Sequence, residues 1–292
     1  MTSAFLAITL CLVCFCHTGI ATPNATNFES PSLSWDPRLN PSVGNGYLAT
    51  TVFSDTVYVS GIFNGRGTKT PSHRARIPST AAIIVRSNLT SNATVELFSL
   101  NVEQGVFYHR LVVENFTLEQ KIYAHRVRQH VLVTEISLQN NMRDTVSLFL
   151  TNVFGPPSAD IEFQRDDVPR KSQNDPKINA MSGYIRITEE PDSRREGVAA
   201  VWGEIPPRLL IKPSAQTQTF FFITAIATSL DAKDFVTSAR EAYTAAMEKP
   251  EELLESHVQA WREIWNDGRI EVEGNLTLAQ TISGSLYYTL RY

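Results

Sequence analysis

Three acidic pairs are the residues whose spacing could carry acid–base chemistry: Asp160 with Glu162, Asp166 with Asp167, and Glu189 with Glu190. Paired carboxylates can divide the roles of general acid and general base when their surroundings separate their proton affinities. Each pair here falls in a loop or at a strand end, where Asp and Glu are ordinarily solvated, so they read as surface charge. His73, His109, His125, His130 and His257 form no HExxH sequence and no paired i,i+4 set. His257 lies in the apolar stripe of a helical pattern and reads as a packing residue. Gly65-Arg66-Gly67 lacks the third glycine and following helix of a dinucleotide fingerprint. No Walker loop and no G-x-S-x-G elbow is present. The chain as given therefore offers no catalytic residue, no metal ligand set and no cofactor site.

The elements that would position a site begin at Asn40–Ser79. Tyr47, Ala49 and Thr51 alternate with Leu48, Thr50 and Val52, and Val57, Val59 and Gly61 alternate with Tyr58, Ser60 and Ile62. This period of two on either side of Ser54-Asp55 predicts a hairpin. Gly44 and Gly46 flank Asn45, and Gly65 and Gly67 flank Arg66, so the backbone can turn sharply where each strand begins or ends. Further β-type runs span Ala81–Val85, Thr94–Leu100, Val106–Val113, Phe116–Ala124, Val131–Leu138 and Val146–Phe154. A polar loop is expected over Pro156–Asn179. It is followed by Gly183–Thr188, Gly197–Gly203, Leu209–Lys212 and an apolar strand, Gln218–Thr228, expected to be buried on both faces. So many strands predict a mainly β protein, a large antiparallel β-sandwich.

After Ser229 the period becomes helical. Phe235, Val236, Ala239, Ala242, Tyr243 and Ala246 share a face behind a cap at Asp231 or Asp234. Pro250 opens a second helix with the stripe Leu253, Leu254, His257, Val258, Trp261, Ile264 and Trp265. A short strand at Arg269–Glu273 and a capping box, Thr277-x-x-Gln280, then lead into a third helix carrying Leu278, Ile282, Leu286 and Leu290. The expected division is a signal peptide at 1–21, a β-sandwich domain at 22–230, a helical linker at 231–274, and the start of a helical domain at 275–292.

The chain resembles the amino-terminal region of glycoside hydrolase family 65, and within it the acid-trehalase-like branch. Family members carry a G-N-G-Y-x-G-x-R strand and an x-(A/S)-G-(V/I)-(Y/F)-(N/D) strand. Gly44-Asn45-Gly46-Tyr47 and Val59-Ser60-Gly61-Ile62-Phe63-Asn64 fit both, and an NG-x-G loop, Asn64-Gly65-Arg66-Gly67, precedes Ser72-His73-Arg74-Ala75. Ile122-Tyr123-Ala124-His125-Arg126 and Gly284-Ser285-Leu286-Tyr287-Tyr288 are further echoes, and Ala49 and Thr51 depart where the family has Gly and Arg. The resemblance implies a galactose-mutarotase-like super-sandwich, then a linker and the first helix of an α/α barrel. It implies an inverting, metal-free α-glucosidase acting on the glucosyl-galactosyl disaccharide of collagen hydroxylysine, with catalytic carboxylates beyond the chain's end. Asn45, Gly46, Tyr47, Gly61, Asn64, Gly65, His73 and Arg74 are its structural or pocket-rim residues. A secreted, non-catalytic sandwich that binds a carbohydrate or a protein, and a trehalase-type hydrolase, are the alternatives.

Composition is consistent with that setting. The chain has 292 residues, 42% hydrophobic and 19% charged, with a net charge of -4 and no basic cluster suited to nucleic acid or an anionic membrane. Its three cysteines, Cys11, Cys14 and Cys16, all lie in an apolar run of signal-peptide type, leaving the mature chain without disulfides. Sequons at Asn24, Asn88, Asn92, Asn115 and Asn275 predict N-glycosylation. The expected location is the secretory pathway: secreted, or in the lumen of the endoplasmic reticulum or lysosome.

Overall fold

Alternating burial along long strands builds the largest feature, a nine-stranded antiparallel sheet. The computed structural model describes residues 25–89, 94–155, 157–168 and 177–291. The expected signal peptide and the sequons at Asn24 and Asn92 lie outside the described residues. In spatial order the sheet contains β1 (Asn27–Ser30), β9 (Thr94–Asn101), β10 (Val106–Val113), β11 (Phe116–Ala124), β12 (Val131–Asn140), β18 (Ser214–Thr228), β16 (Gly197–Gly203), β15 (Ile178–Ile185) and β14 (Ile161–Asp166). One face is covered by two smaller sheets. These are β17 (Arg208–Ile211), β13 (Val146–Asn152) and β8 (Ile83–Ser87) in one, and β2 (Ser42–Gly44), β3 (Leu48–Thr51), β4 (Thr56–Val59) and β7 (Ile77–Pro78) in the other. A hairpin of β5 (Phe63–Arg66) and β6 (Thr70–Arg74) projects beside them.

The period of two sorts the core into layers. On β12, Val131 and Val133 enter one apolar cluster with Ala225 and Ala227 of β18, beneath the helices, while Ile136 and Leu138 enter another with Ile83 and Leu148 of the smaller sheet. Phe107 and Phe116 have no solvent exposure. Burying a side chain of that kind stabilises the fold by roughly 1.5–3 kcal/mol.

Three helices follow the sheets. Asp234 caps α1 (Phe235–Met247) by accepting from the Thr237 N–H at 3.1 Å, and Phe235, Ala239, Tyr243 and Ala246 are buried against the large sheet. Pro250 opens a 3-10 turn before α2 (Leu253–Asp267), whose buried side chains are Leu253, His257, Trp261 and Trp265 at spacings of four. α3 (Leu276–Leu290) buries Ala279, Ser283, Gly284 and Tyr287. The Tyr287 hydroxyl donates to the Ser42 carbonyl at 3.1 Å, and a Cβ on Gly284 would stand 3.1 Å from the Phe28 ring, so small residues let α3 close on the sandwich.

Several expectations need correction. Arg269–Glu273 forms no strand, because its alternation finds no partner among the described strands. The cap of α3 is Asn275, which accepts from the Leu278 N–H at 3.0 Å, one turn-start earlier than the Thr277 box. The polar stretch 156–179 contains β14, which reads as loop because it is an exposed sheet edge. Only Ile223–Thr228 of β18 is buried on both faces; its first half is largely open. Asn115 occupies the two-residue turn between β10 and β11, where it is exposed, as are Asn88 and Asn275.

Candidate functional site

The Gly44-Asn45-Gly46-Tyr47 turn joins β2 to β3, and Asn45 uses all of its hydrogen-bonding capacity there. Its Oδ1 accepts from the Tyr47 and Leu48 N–H groups at 3.0 and 2.9 Å, an Asx-type turn. Its Nδ2 donates to the carbonyls of His125 and Gln129 at 2.9 and 2.8 Å, in the turn that follows β11. Gly46, at φ +91°, aims its N–H at the Arg291 carbonyl, 2.7 Å away, at the end of α3. Arg126 reaches the same place, donating through Nη1 to the carbonyls of Asn45 at 2.8 Å and Leu290 at 3.2 Å. Its guanidinium lies 5.3 Å from the centre of the Trp261 ring. Two motifs some eighty residues apart thus close on the last carbonyls of α3, which a helix leaves without intrahelical donors.

Tyr47 ties the same turn to the start of the helical segment. Its hydroxyl donates to Asp231, which also accepts from the Thr228 N–H and Thr228 hydroxyl, both at 2.9 Å. Burial, and then the Asp231 contact, push the Tyr47 phenol well above its ordinary range, so it is a neutral donor.

The second motif folds into the β5–β6 hairpin. Gly65 sits at φ +108°, where a Cβ would stand 2.5 Å from the Pro71 carbonyl oxygen, so only glycine fits. Gly61 brings the chain against Leu230, whose Cδ1 lies 2.7 Å from the position of a Cβ. Asn64 is buried and accepts from the Ile187 N–H at 2.8 Å. Its amide donates to Asp160 at 3.3 Å, and the His73 Nε2 donates to the same carboxylate at 3.0 Å. The Arg76 N–H donates to the other Asp160 oxygen, also at 3.0 Å. Asp160 is only 5% exposed, which corrects its reading as a surface charge: three donors replace the water it has lost. Of the other paired acids, Asp166 is half-buried and accepts from the Ser182 hydroxyl at 3.1 Å, while Glu162 and Glu189 stay peripheral. Glu162 pairs with Arg186 and Arg195 at the surface, and Glu189 accepts from Ser72.

Above this hairpin lies an open groove of about 430 Å3, with Ser42, Thr51, Tyr58, Arg74, Arg76 and Arg291 in its walls. A smaller hollow next to it shares Ala49, Tyr58, Arg74 and Arg291 and adds Gly46, Tyr47 and Gly61. The larger groove is also lined by His73, so three arginines and a histidine line it and, among the described residues, no carboxylate does. Such walls can hydrogen-bond ligand hydroxyls and attract oxyanions. They cannot supply a general acid and a general base together, since Asp160 is turned inward and engaged by three donors. Seven of the eight family-motif residues named from sequence thus meet in two adjoining places: Asn45, Gly46 and Tyr47 at the α3 grip, and Gly61, Asn64, Gly65 and His73 at the hairpin. Arg74 lines both hollows between them.

Sequence reading missed Gln129 and Arg291, whose partners are remote in the chain, and took Asp160 for a solvated charge. Of the aromatic residues Trp35, Tyr58, Tyr184 and Trp202, Tyr58 lines both hollows and the other three lie elsewhere. Tyr184 packs edge-on against Phe235 and Trp202 lies against Phe154, while Trp35 is 92% exposed. His257 is fully buried and hydrogen-bonded to backbone on both sides, from the Arg126 N–H at 3.1 Å and to the Gly105 carbonyl at 3.3 Å.

No protein-family model matches the chain. A mouse (Mus musculus) protein-glucosylgalactosylhydroxylysine glucosidase is 30% identical over 266 residues, covering 90% of this chain and 37% of the mouse protein. Proteins of the same name from Gallus gallus and Dictyostelium discoideum are 29% and 27% identical, over 90% and 86% of this chain. The chain spans just over a third of the length of these curated relatives. In fold it is similar to a kojibiose phosphorylase from human microbiome, with a TM-score of 0.60 at 11% identity, over 92% of this chain and 42% of that one. Over nine tenths of its length the chain is a relative of the protein-glucosylgalactosylhydroxylysine glucosidases, and it has the fold of a family 65 phosphorylase.

Proposed function

We propose that this chain is the amino-terminal β-domain, helical linker and first barrel helix of a secretory-pathway α-glucosidase that releases glucose from glucosyl-galactosyl-hydroxylysine of collagen-type glycopeptides. The observation that carries the reading is the 30% identity to the mouse glucosidase across nine tenths of the chain. Hydrolysis with inversion requires an acid to protonate the leaving oxygen and a carboxylate to activate water, roughly 6.5–9.5 Å apart. In this reading both carboxylates lie beyond residue 292, on a barrel begun by α3. The sandwich then has two tasks. It fixes the end of α3 through Asn45, Gly46 and Arg126, and it lends the groove bearing Tyr58, Arg74 and Arg76 to the rim of the sugar pocket.

Secretory targeting belongs to the same proposal, through the apolar leader at 1–21 and the sequons at Asn88, Asn115 and Asn275, whose side chains are open to solvent. The Oδ1 of Asn88 accepts from the Ser147 N–H and that of Asn275 caps α3, which leaves each Nδ2 to carry a glycan.

The test has two readouts. An antibody to the mature amino terminus should detect, after glycan removal, a native species of roughly twice this length or more, and that species should release glucose from a glucosyl-galactosyl-hydroxylysine peptide. The polypeptide ending at residue 292 should release none. A stable native monomer ending at residue 292 that binds the glycopeptide without cleaving it would instead assign a carbohydrate-binding module. Cleavage by that short polypeptide would overturn the placement of the carboxylates.

A further inference from the structure

Two histidines beneath the helices, His125 and His257, have no solvent exposure and no part in the groove. His125 closes the turn after β11. Its Nδ1 accepts from the Val127 and Arg128 N–H groups at 3.2 and 3.0 Å, and its Nε2 donates to the Ser256 hydroxyl of α2 at 3.1 Å. His257 comes from the buried face of α2. Its Nδ1 accepts from the Arg126 N–H at 3.1 Å, and its Nε2 donates to the Gly105 carbonyl at 3.3 Å, in the turn between β9 and β10. The two ring centres are 5.7 Å apart, and the Tyr123 ring lies 4.7 Å from that of His257.

Both rings therefore work as neutral tautomers with the proton on Nε2 and a lone pair on Nδ1. Adding a proton at Nδ1 sets a donor against backbone donors, so two hydrogen bonds from the 125–128 turn are lost at His125 and one at His257. The surroundings offer the charge no compensation. Facing the pair are Tyr123 from β11, Arg126 and Arg128 from the turn, the carbonyls of Gln104 and Gly105, and the Leu253 carbonyl and Ser256 hydroxyl from α2. Among the described residues no carboxylate faces the pair. Burial first, and then the Arg128 charge, hold His125 down at about 4; burial, and then His125 itself, hold His257 at about 3.

The same turn carries the grip on α3, since Asn45 holds the His125 and Gln129 carbonyls and Arg126 holds the Leu290 carbonyl. We propose that His125 and His257 form an acid-released clamp: neutral, they fasten α2 and, through the 125–130 turn, α3 to the sandwich; protonated, they free the helices while the sheets stay folded. The clamp is independent of the glycosidase reading, because it needs only these contacts.

The sign follows from linkage. Above pH 6.5 both the clamped and the released forms are neutral, and pH has no effect through these groups. Between 6.5 and the depressed values the released form binds protons that the clamped form refuses, so the opening equilibrium rises up to tenfold per pH unit for each histidine. Hydrogen–deuterium exchange of the protein between pH 7 and pH 4.5, corrected for intrinsic rates, should show protection of Leu253–Asp267 and Leu276–Leu290 falling with a slope of up to two protons, while Val131–Leu138 stays protected. In the double variant His125→Asn, His257→Asn, whose amide oxygens can accept where Nδ1 did, that slope should vanish. Should the variant fail to fold, ring NMR of the unmodified protein decides: the two imidazoles must stay neutral wherever the helices remain protected. The clamp is overturned by helices fully protected at pH 4.5, by sheets and helices opening together, or by either ring titrating near pH 6.5 with the helices in place.

Discussion

The helix clamp and the groove hairpin each rest on histidine, yet the two regions shift its proton affinity in opposite directions. At the clamp, the Nδ1 atoms of His125 and His257 receive backbone N–H groups in a buried setting, so the rings are held neutral. At the hairpin, His73 is largely open to solvent and both of its nitrogens face acceptors, the Pro71 carbonyl at 2.8 Å and Asp160 at 3.0 Å. A neutral imidazole can donate to only one of them, so the Pro71 carbonyl and then the carboxylate raise the His73 pKa above its ordinary value. Partner polarity and burial, not residue type, decide the direction of the shift. The two regions should accordingly respond to pH in opposite directions.

The largest effect should come from removing the residue that joins the clamp to the hairpin side of the molecule. Asn45→Ala deletes four hydrogen bonds and leaves the Tyr47 and Leu48 N–H groups and the His125 and Gln129 carbonyls without their partner. Leaving buried polar groups unsatisfied costs about 1–3 kcal/mol each before relaxation, so a loss of about 3 kcal/mol is expected after rearrangement. Urea denaturation would measure it, and hydrogen exchange should locate the loosening at the end of α3. Asp160→Ala should cost less, about 2 kcal/mol, because His73 can turn to solvent while the Asn64 amide and Arg76 N–H lose their acceptor. Its effect should be confined to the hairpin and groove. If each variant loosened both regions equally, the two would be one cooperative unit and the contrast between them would fail.

What could be read in advance divides along the same line. Val106–Val113, Phe116–Ala124 and Gly197–Gly203 were legible to the residue, since each alternates between two buried clusters and ends at a turn. Arg269–Glu273 alternates just as well and is not a strand, because alternation describes two faces and says nothing of a neighbour to pair with. β14 was hidden for the converse reason: an exposed edge strand needs few apolar residues. In the site, the turn residues stood out because Gly46 and Gly65 occupy backbone conformations that restrict the choice of side chain. Their partners did not. Asp160 lies 87 positions from His73 and Arg291 lies far from Gly46, and only the folded sheets bring either pair together.

The smallest and most discriminating effect concerns His73 itself. With a folded-state pKa raised above the unfolded value near 6.5, its contribution is fully present below pH 6.5 and is lost as pH rises through the raised value. The ring is 44% exposed, so solvent screening limits the contribution to less than about 1 kcal/mol. Glutamine in its place can still donate to Asp160 but carries no titrating charge. His73→Gln should therefore show a lower urea midpoint than the unmodified protein at pH 6 and nearly the same midpoint at pH 8.5. The clamp histidines add to both proteins alike and cancel in the difference. A gap of equal size at both pH values would mean that His73 braces the hairpin by shape alone, and the opposed response of the two regions would reduce to the behaviour of the clamp.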